Sequence, residues 1–326
     1  MSVQSAAIPI AVFEQAGQVP ADWTVVERCP ACGSRAVAAS ARLPEAHYAF
    51  GDHEIPIPAS GIAVCRCGVC SVHYKTTVPA PGFLAQMFGQ HAEVKWAAPP
   101  VEFSRELATL RQLWGAPAMD LLDIGAAGGA LLEAHAASGL SGRRSAFDVM
   151  RYAGIERHLT GEFIEGFLDN PIPEWSREPY DVVTLLDVIE HFYRPQDAFE
   201  NLRRLTRPGG LVFIETGNTE SFWPRHYGIN QWWYVRLLEH HVFWSRRSLE
   251  HMAAVHGFRI VYWKEGRHKS RRNRALAGAI KDILKTGLYC VTGPRYASIA
   301  RRFGKQGNQP WFPLTRDHFQ ACLMRA

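Results

Sequence analysis

The sequence predicts an α/β protein built on a doubly wound, mostly parallel, seven-stranded sheet. A small cysteine-rich module precedes the sheet, and a basic helical insertion precedes its last strand. Two observations lead to this fold class. From about Met119 onward, short apolar runs alternate with stretches of helical periodicity, as in parallel sheets covered by helices on both faces. Upstream, five of the seven cysteines crowd into the first quarter of the chain.

The composition is that of an ordinary globular chain. Its 326 residues are 47% hydrophobic and 21% charged, with a formal net charge of +5, which allows a sizeable core. The first residues lack a basic region, and Glu14 and Gln15 interrupt their apolar run, so we expect no secretory signal. We find no uncharged apolar stretch long enough to span a bilayer. These features favour a cytoplasmic protein.

Two Cys-x-x-Cys pairs lie in the amino-terminal module, residues 1–80. Their members are Cys29, Cys32, Cys67 and Cys70. Two such pairs across a loop are typical of a four-thiolate zinc ribbon, in which Zn²⁺ supplies folding energy that a small core lacks. Cys65 is either a rival ligand or a bystander, and Ser71 stands where ribbons usually have glycine. A redox pair and disulfides are the alternatives, but no βαβ pattern surrounds the pairs and a cytosolic location disfavours disulfides.

Few basic residues lie near the cysteine pairs, and no run of interleaved aromatic and basic residues accompanies them. Such a run would indicate nucleic-acid binding. We therefore interpret the module as a structural cap on the main domain and expect no specific nucleic-acid partner.

The main domain, residues 119–326, follows a helical linker or substrate lid at residues 81–118. Seven apolar runs predict its strands, at residues 119–125, 143–150, 161–167, 179–192, 211–218, 259–263 and 317–326. Amphipathic stretches between them predict helices at residues 128–138, 195–210 and 245–258. We expect the second to stop at Pro208–Gly210, and the third to be capped by Ser245 and to end at Gly257. The basic insertion occupies residues 266–310.

A glycine-rich turn joins the first strand of this domain to its first helix. Glycines there let the backbone approach a ligand closely and expose the free N–H groups of the helix start. The spacing from Gly125 to Gly129 differs from the G-x-G-x-x-G pattern of dinucleotide sites. Asp123, just before the turn, would repel a pyrophosphate and attract a cationic ligand.

Four segments, in this order and spacing, resemble class I S-adenosylmethionine-dependent methyltransferases: LLDIGAAGGALLE, AFDVM, YDVVTLLDVIEHF and RLTRPGGLVFIET. The resemblance covers about residues 119–263 and a last strand near the carboxyl terminus, and it implies a Rossmann-like sheet that binds S-adenosylmethionine. The implied contacts are Asp123, Gly125, Gly128 and Gly129 under the methionine and ribose, Asp148 on the ribose hydroxyls, Leu168 and Asp169 on the adenine, and Leu186 and Asp187 at the methyl-donor pocket. The family's middle glycine is Ala127 here, and its methyl is tolerable only at negative φ.

The cysteine pairs together with the downstream segment EHHVFWS narrow the resemblance to zinc-containing methyltransferases related to ubiquinone-type and sugar methyltransferases. There the Glu-His pair sits at the substrate pocket, which implies catalytic roles for Glu239 and His240. The tyrosine that some sugar C-methyltransferases carry just before this pair is Leu238 here, which favours a hydroxyl acceptor over a sugar carbon.

Methyl transfer needs an in-line alignment, exclusion of water and often removal of the acceptor's proton. His240 is the candidate base, with Glu239 to orient or charge-stabilise its imidazole, and a structural role for His240 stays open. We expect His191 to pack and hydrogen-bond at the start of the next helix. His241 is either a solvated neighbour or a participant.

An aromatic-rich segment and a basic segment complete the pattern. The aromatic residues are Phe222, Trp223, Trp232, Trp233, Tyr234, Phe243 and Trp244. They form either a wall over a planar or sugar-like substrate or a lid packed on the sheet edge.

Residues 267–305 contain eleven basic residues and one acid, Asp282. This segment is either a solvated insertion or a contact with a membrane surface beside a lipid-linked or anionic substrate.

The sequence therefore predicts an enzyme that moves a methyl group from S-adenosylmethionine to a small-molecule acceptor, at a hydroxyl or at a sugar-type or phenol-type oxygen. A nicotinamide-dependent oxidoreductase is disfavoured by the missing dinucleotide pattern. The non-enzymatic alternative is a zinc-ribbon nucleic-acid-binding or scaffold protein on an inactive methyltransferase core.

Overall fold

The computed structural model describes residues 20–43, 47–50, 53–95, 102–172, 178–268, 276–292, 295–296, 299, 302 and 316–326. The amino-terminal residues on which the expectation of no secretory signal rests lie outside these ranges. So does much of the basic segment, including Lys269, Arg271, Arg272, Arg274, Arg301 and Lys305.

The amino-terminal module consists of short antiparallel strands. They are β1 (Trp23–Val25), β2 (Val37–Arg42), β3 (His47–Phe50), β4 (His53–Pro56), β5 (Ala63–Cys67), β6 (His73–Lys75) and β7 (Thr77–Pro79). β2 pairs with β5 and β5 with β6, whereas β1–β7 and β3–β4 form two separate ladders. Two helices follow, α1 (Pro81–Lys95) and α2 (Ser104–Trp114). They occupy the region in which the sequence predicts a helical linker.

The main domain alternates strands and helices as the sequence predicts. Its elements are β8 (Leu121–Ile124), α3 (Ala130–Ala137), β9 (Arg144–Asp148), β10 (Phe163–Glu165), β11 (Tyr180–Leu186), α4 (Pro195–Leu205), β12 (Thr206–Gly217), α5 (Phe222–Tyr227), β13 (Val242–Phe243), α6 (Arg246–Val255), β14 (Phe258–Gly266), α7 (Leu276–Thr292) and β15 (His318–Arg325). β8 and β11 are almost entirely buried, because helices cover both faces of the sheet.

Seven of these strands form one sheet in the order β10-β9-β8-β11-β12-β15-β14. β15 runs antiparallel to both of its neighbours, whereas the pairings from β10 to β12 are all parallel. This confirms the predicted doubly wound, mostly parallel, seven-stranded sheet. The chain builds outward from β8 through β9 and β10, then returns to start the other half at β11. The carboxyl ends of β8 and β11 therefore flank the crevice in which such sheets bind ligands.

The start of α6 and the end of α4 can be compared with the helix boundaries predicted from the sequence. Ser245 caps α6: its hydroxyl accepts a hydrogen bond from the Ser248 N–H at 3.2 Å, and the Ser248 hydroxyl accepts one from the Ser245 N–H at 2.8 Å. This is the reciprocal capping arrangement, and it confirms the predicted cap. α4 ends at Leu205, earlier than predicted. Pro208, Gly209 and Gly210 lie in the first part of β12, because the chain enters the sheet directly after the helix.

The amino-terminal module shares a sheet with the main domain. β13 pairs antiparallel with β6, with Val242 opposite Tyr74 and Phe243 opposite His73, so this sheet has the order β13-β6-β5-β2. The buried cysteines of the module belong to the same apolar cluster as Val242, Trp244 and the core of the seven-stranded sheet. The module is thus built onto the segment that carries Glu239 and His240.

No helix within the described ranges combines the length and apolar character needed to cross a lipid bilayer.

Candidate active site

A cavity of about 440 Å³ lies at the crevice between β8 and β11. Its walls come from the turns after β8, β9, β10 and β11, from α1 through Leu84 and Phe88, and from the segment between α5 and β13. Its size is within the range of small-molecule sites, about 300–1,000 Å³, and its lining is largely apolar with a few polar groups.

The turn after β8 reaches this cavity through Gly125 and Ala127. Gly125 has a φ of 71°, and a Cβ there would lie 2.5 Å from Cγ2 of Val188, so only glycine fits. Ala127 has a φ of 45°. The statement that a methyl is tolerable here only at negative φ is therefore wrong. The left-handed conformation costs about 1–2 kcal/mol for a residue with a Cβ, and the hydrogen bond that the Ala127 N–H donates offsets part of this cost.

Asp148 at the end of β9 accepts that hydrogen bond. Its Oδ2 accepts from the Ala127 N–H at 2.8 Å, and its Oδ1 accepts from the Val149 N–H at 2.7 Å. Burial raises the pKa of this carboxyl, while the backbone N–H groups of Ala127, Met150 and Val149 act against the rise. Asp148 also lines the cavity. One carboxylate thus fixes the turn after β8 and presents a polar surface to a ligand.

Three of the residues expected at the cofactor do not line this cavity: Asp123, Gly128 and Gly129. Asp123 is buried inside the sheet, where its Oδ1 accepts a hydrogen bond from the Thr184 hydroxyl at 2.7 Å. Gly129 begins α3 with a φ of 81°, and a Cβ there would lie 3.1 Å from the His158 ring. Asp123 thus supports the turn from within the sheet, and the two glycines lie in the turn itself without reaching the cavity.

Leu168 and Asp169, after β10, do line the cavity. The Asp169 carboxylate accepts hydrogen bonds from the backbone N–H groups of Tyr193 at 2.6 Å and Arg194 at 3.0 Å. These donors directly precede α4, so the carboxylate holds the start of that helix against the cavity wall. The Leu168 carbonyl accepts a hydrogen bond from the Asn201 side chain at 2.7 Å.

Leu186 and Asp187, at the end of β11, also line the cavity, and Asp187 has a φ of 58°. Two histidines approach the Asp187 carboxylate, His268 at 3.3 Å and His318 at 3.5 Å. No motif in the sequence singles out either histidine. His268 lies just after β14 and His318 begins β15, so both reach Asp187 only because these strands lie on the same side of the sheet as β12.

His318 is held between two carboxylates. Its Nδ1 lies 3.1 Å from Asp317 Oδ1, and the Trp233 indole N–H donates to Asp317 Oδ2 at 3.0 Å. Burial alone would lower the pKa of His318, but Asp317 and Asp187 raise it to about 10. The imidazole therefore carries a positive charge at neutral pH and offsets the charge of the carboxylates around it.

His240 lines the cavity and is held by the backbone. Its Nδ1 lies 3.0 Å from the Tyr234 carbonyl oxygen. A carbonyl only accepts, so Nδ1 carries the proton and a neutral imidazole keeps a lone pair on Nε2. Nε2 lies 3.9 Å from Oε1 of Glu190.

A carboxylate that faces His240 Nε2 is that of Glu190, in the DVIEHF stretch, which the sequence pattern did not single out, while the pairing of His240 with Glu239 stays a prediction. Glu190 is buried and accepts hydrogen bonds from the Tyr234 hydroxyl and from the Thr216 hydroxyl, the latter at 2.8 Å. Burial raises its pKa. The side chain of Glu239 lines the cavity, and its backbone carbonyl accepts a hydrogen bond from His191 Nδ1 at 2.8 Å.

The neighbouring histidines have different surroundings. His191 makes the expected hydrogen bond near the start of the next helix, and it also lines the cavity, with its ring 4.9 Å from that of His240. His241 is buried beside the Tyr193 ring and does not line the cavity, so both interpretations of it, solvated neighbour and participant, are wrong. Burial holds its pKa well below the usual range.

The residues of the aromatic segment have different positions in the structure. Trp233 and Tyr234 line the cavity. Trp223, Trp232, Phe243 and Trp244 are fully buried and pack in the core. Phe222 is exposed, so the segment contributes to the cavity wall, to the core and to the surface, and the two interpretations of it stay predictions.

The four cysteines of the Cys-x-x-Cys pairs come together, with their sulfur atoms all within 4.8 Å of one another. Cys29 and Cys70 are 3.5 Å apart, and so are Cys32 and Cys67. Gly33 and Ser71 follow the two pairs with φ values of 70° and 65°, so both turns have the same geometry although only one has glycine. Cys65 lies outside the cluster, and burial raises its pKa to about 11.

The chain is similar in sequence to known methyltransferases. The profile of a family described as methyltransferase domain matches residues 95–262. The ubiquinone biosynthesis O-methyltransferases of Proteus mirabilis and Vibrio atlanticus are each 31% identical over 103 residues, which is 30% of this chain. The match spans less than half of these relatives, 42% and 43% of their lengths.

Two solved structures illustrate the similarity in three dimensions. An S-adenosylmethionine-dependent methyltransferase from Clostridium acetobutylicum has a TM-score of 0.42 at 9% identity and covers 75% of this chain and 98% of its own. The N-methyltransferase NodS from Bradyrhizobium japonicum, in complex with S-adenosyl-L-homocysteine, has a TM-score of 0.41 at 15% identity. It covers 71% of this chain and 91% of its own.

The charge on His318 makes stability depend on pH. Its folded-state pKa of about 10 exceeds the ordinary histidine pKa of 6.5, so its stabilisation is complete below about pH 6.5 and is lost as the pH rises towards about 10. We expect His318→Gln to lower the free energy of unfolding most near the lower pH and least near the upper one. Urea unfolding at both pH values measures this, with His251→Gln as the control. A deficit that stays constant with pH would contradict the charge assignment.

Proposed function

The chain belongs to the methyltransferase domain family, and from this premise we propose that it transfers the methyl group of S-adenosylmethionine to an oxygen of a small-molecule acceptor, with His240 as the base. The observation that carries the proposal is the hydrogen bond between His240 Nδ1 and the Tyr234 carbonyl, 3.0 Å long. It fixes the proton on Nδ1 of a residue that lines the cavity, so Nε2 is the ring nitrogen that would take a proton from the acceptor.

The residues that line the cavity at the turn after β8 and at the end of β9 fit S-adenosylmethionine. Gly125 keeps the backbone of the turn free of side-chain bulk, and Asp148 offers a carboxylate that can accept hydrogen bonds from ribose hydroxyls. The walls beyond these residues, at Leu168–Asp169 and Leu186–Asp187, would contact the adenine and the methyl-donor end. Asp123, Gly128 and Gly129 would act indirectly by fixing the turn. A bound S-adenosylmethionine supplies an activated methyl group on a sulfonium centre.

The chain's own part in the chemistry is alignment, exclusion of water and proton removal. Leu84 and Phe88 of α1 close one side of the cavity as an apolar lid, while Trp233 and Tyr234 offer flat surfaces to a planar or sugar-like acceptor. His240 Nε2 takes the proton of the acceptor hydroxyl as the methyl group is transferred. The nearby Glu190 Oε1 then stabilises the imidazolium, and Glu239 is a further polar contact for the acceptor.

The cysteine cluster fits one structural zinc ion. A tetrahedral site with Zn–S bonds of about 2.3 Å has sulfur atoms about 3.8 Å apart, and two of the pairs here are 3.5 Å apart. We propose Cys29, Cys32, Cys67 and Cys70 as the ligands, in a module of residues 1–80 that supports the main domain of residues 119–326. Four thiolates on zinc suit the reducing cytoplasm, where we propose that the protein works.

We expect Asp148→Ala to weaken binding of S-adenosylhomocysteine by about thirtyfold, which is on the order of 2 kcal/mol, because ribose hydrogen bonds and the anchor of the Ala127 N–H are lost together. Titration calorimetry measures this, and Asp148→Asn should weaken binding less because its amide oxygen can still accept. Glu250→Ala, at an exposed ion pair on α6, is the matched control. Unchanged affinity in Asp148→Ala would contradict the assigned ribose contact.

We expect one zinc ion per chain in protein purified without chelators. Cys67→Ser should lower the zinc content and the free energy of unfolding, because the site loses one of its four ligands. Cys65→Ser replaces an equally buried cysteine outside the cluster and should keep its zinc. Elemental analysis decides the assignment. Full zinc content in Cys67→Ser would rule out that cysteine as a ligand.

The proposed reaction is tested by a screen for S-adenosylhomocysteine release over phenols, sugars and hydroxylated carboxylates. With an acceptor in hand, we expect His240→Ala to lower turnover by about a hundredfold, the usual contribution of a general base. Its affinity for S-adenosylhomocysteine should stay unchanged, which also shows that the variant is folded. His251→Ala is the control for loss of an imidazole. Equal turnover in His240→Ala and wild type would leave the histidine with a structural role only.

A further inference from the structure

Among the side chains of α7 that the structure describes, the buried ones lie on one face of the helix. Thr286 and Tyr289 are buried. The Tyr289 ring lies 5.3 Å from Trp223 and 6.0 Å from Tyr227, and its hydroxyl donates a hydrogen bond to the Gln231 side chain at 3.3 Å. These contacts fix which side of the helix faces solvent.

The opposite face of α7 exposes a stripe of large apolar side chains. Its members are Ile280, Ile283, Leu284, Leu288 and Val291, each between 44% and 86% exposed. At about 100° per residue these positions fall within one arc of the helix, directed away from Tyr289. They form more than half of the large hydrophobic side chains that are exposed among the described residues, where single, scattered ones are the norm.

The segment that carries this stripe is basic. Residues 267–305 carry eleven basic residues and one acid. In the helical register, Lys281 and Lys285 lie beside the stripe, between it and the buried face, and Arg295 and Arg302 beyond the end of α7 are exposed. An apolar face bordered by basic residues has the chemistry of helices that lie in the surface of anionic membranes.

We propose that α7 docks in the surface of an anionic lipid bilayer, with its apolar stripe among the acyl chains and the basic residues at the headgroups. A helix too short to span the bilayer suits this surface position. A second copy of the chain is the competing occupant of the stripe. The charge of the segment disfavours a second copy, because pairing two such basic segments would bring like charges close together, where they repel each other.

The docked helix would bring the cavity to the membrane. Tyr289 belongs to the same apolar cluster as Leu84, with Phe88 and Trp233 packed against it, and these three residues line the cavity. His268, another lining residue, precedes the start of α7 by eight positions. The surface would therefore suit an acceptor with a lipid-soluble part. Membrane binding itself does not rest on the proposed methyl transfer.

Sedimentation with vesicles tests the proposal on the full chain. We expect the wild type to bind vesicles of equal parts phosphatidylcholine and phosphatidylglycerol, and to bind pure phosphatidylcholine at least tenfold more weakly. The double substitution Leu284→Glu and Val291→Glu should weaken binding to the anionic vesicles at least tenfold, because it places charges in the stripe. Glutamate keeps the helix propensity high, and unchanged affinity for S-adenosylhomocysteine checks the fold.

Val255→Glu is the matched control, since Val255 is an exposed apolar residue, 63% accessible, on α6. It should bind vesicles like the wild type. Two results would overturn the proposal. One is equal sedimentation of the wild type with and without vesicles. The other is a wild-type dimer in analytical ultracentrifugation that the double substitution converts to monomer, which would assign the stripe to a second copy.

Discussion

The antiparallel pairing of β13 with β6 is the constraint on which the candidate site depends. β13 is only two residues long and directly follows the segment that carries Glu239, His240 and His241. A strand this short has little stability of its own, and here the cysteine-rich sheet holds it from one side. The Lys75 N–H donates to the His241 carbonyl at 3.0 Å, and the Lys75 ammonium donates to the Leu237 carbonyl at 2.6 Å. The module thus fixes the backbone on both sides of His240.

Buried charges determine the character of the cavity wall. Asp187 and Asp317 enclose His318, so a positive imidazolium balances carboxylates that would otherwise repel each other in a poorly solvated place. Glu190 is satisfied in another way, by the hydroxyls of Tyr234 and Thr216, and burial raises its pKa. Tyr234 contacts both groups, since its hydroxyl lies within hydrogen-bond distance of Glu190 and Asp187 and its ring lies 5.0 Å from that of His318, and its carbonyl also orients His240. One aromatic residue therefore connects the charge network to the proposed base.

The cavity wall and the outer surface are connected by packing. The aromatic cluster that contains Trp223 and Tyr289 joins α5 and α7 to the residues of α1 that cover the cavity. Closely packed side chains transmit displacement, because interiors have few voids to absorb it. A surface that engages α7 would therefore act on the same cluster that forms the lid over the cavity.

Local signals in the sequence determined the order of strands and helices, the Ser245 cap, the glycine turn and the two Cys-x-x-Cys turns, because each follows from residues close together in the chain. The tertiary structure alone decided the rest. Glu190 faces His240, and His318 approaches Asp187, only because the fold brings together segments that are far apart in the sequence. Ala127 adopts a positive φ because Asp148, from the next strand, holds its N–H. Contacts of this kind leave no local pattern in the amino-acid sequence, since they depend on how distant segments of the chain come together.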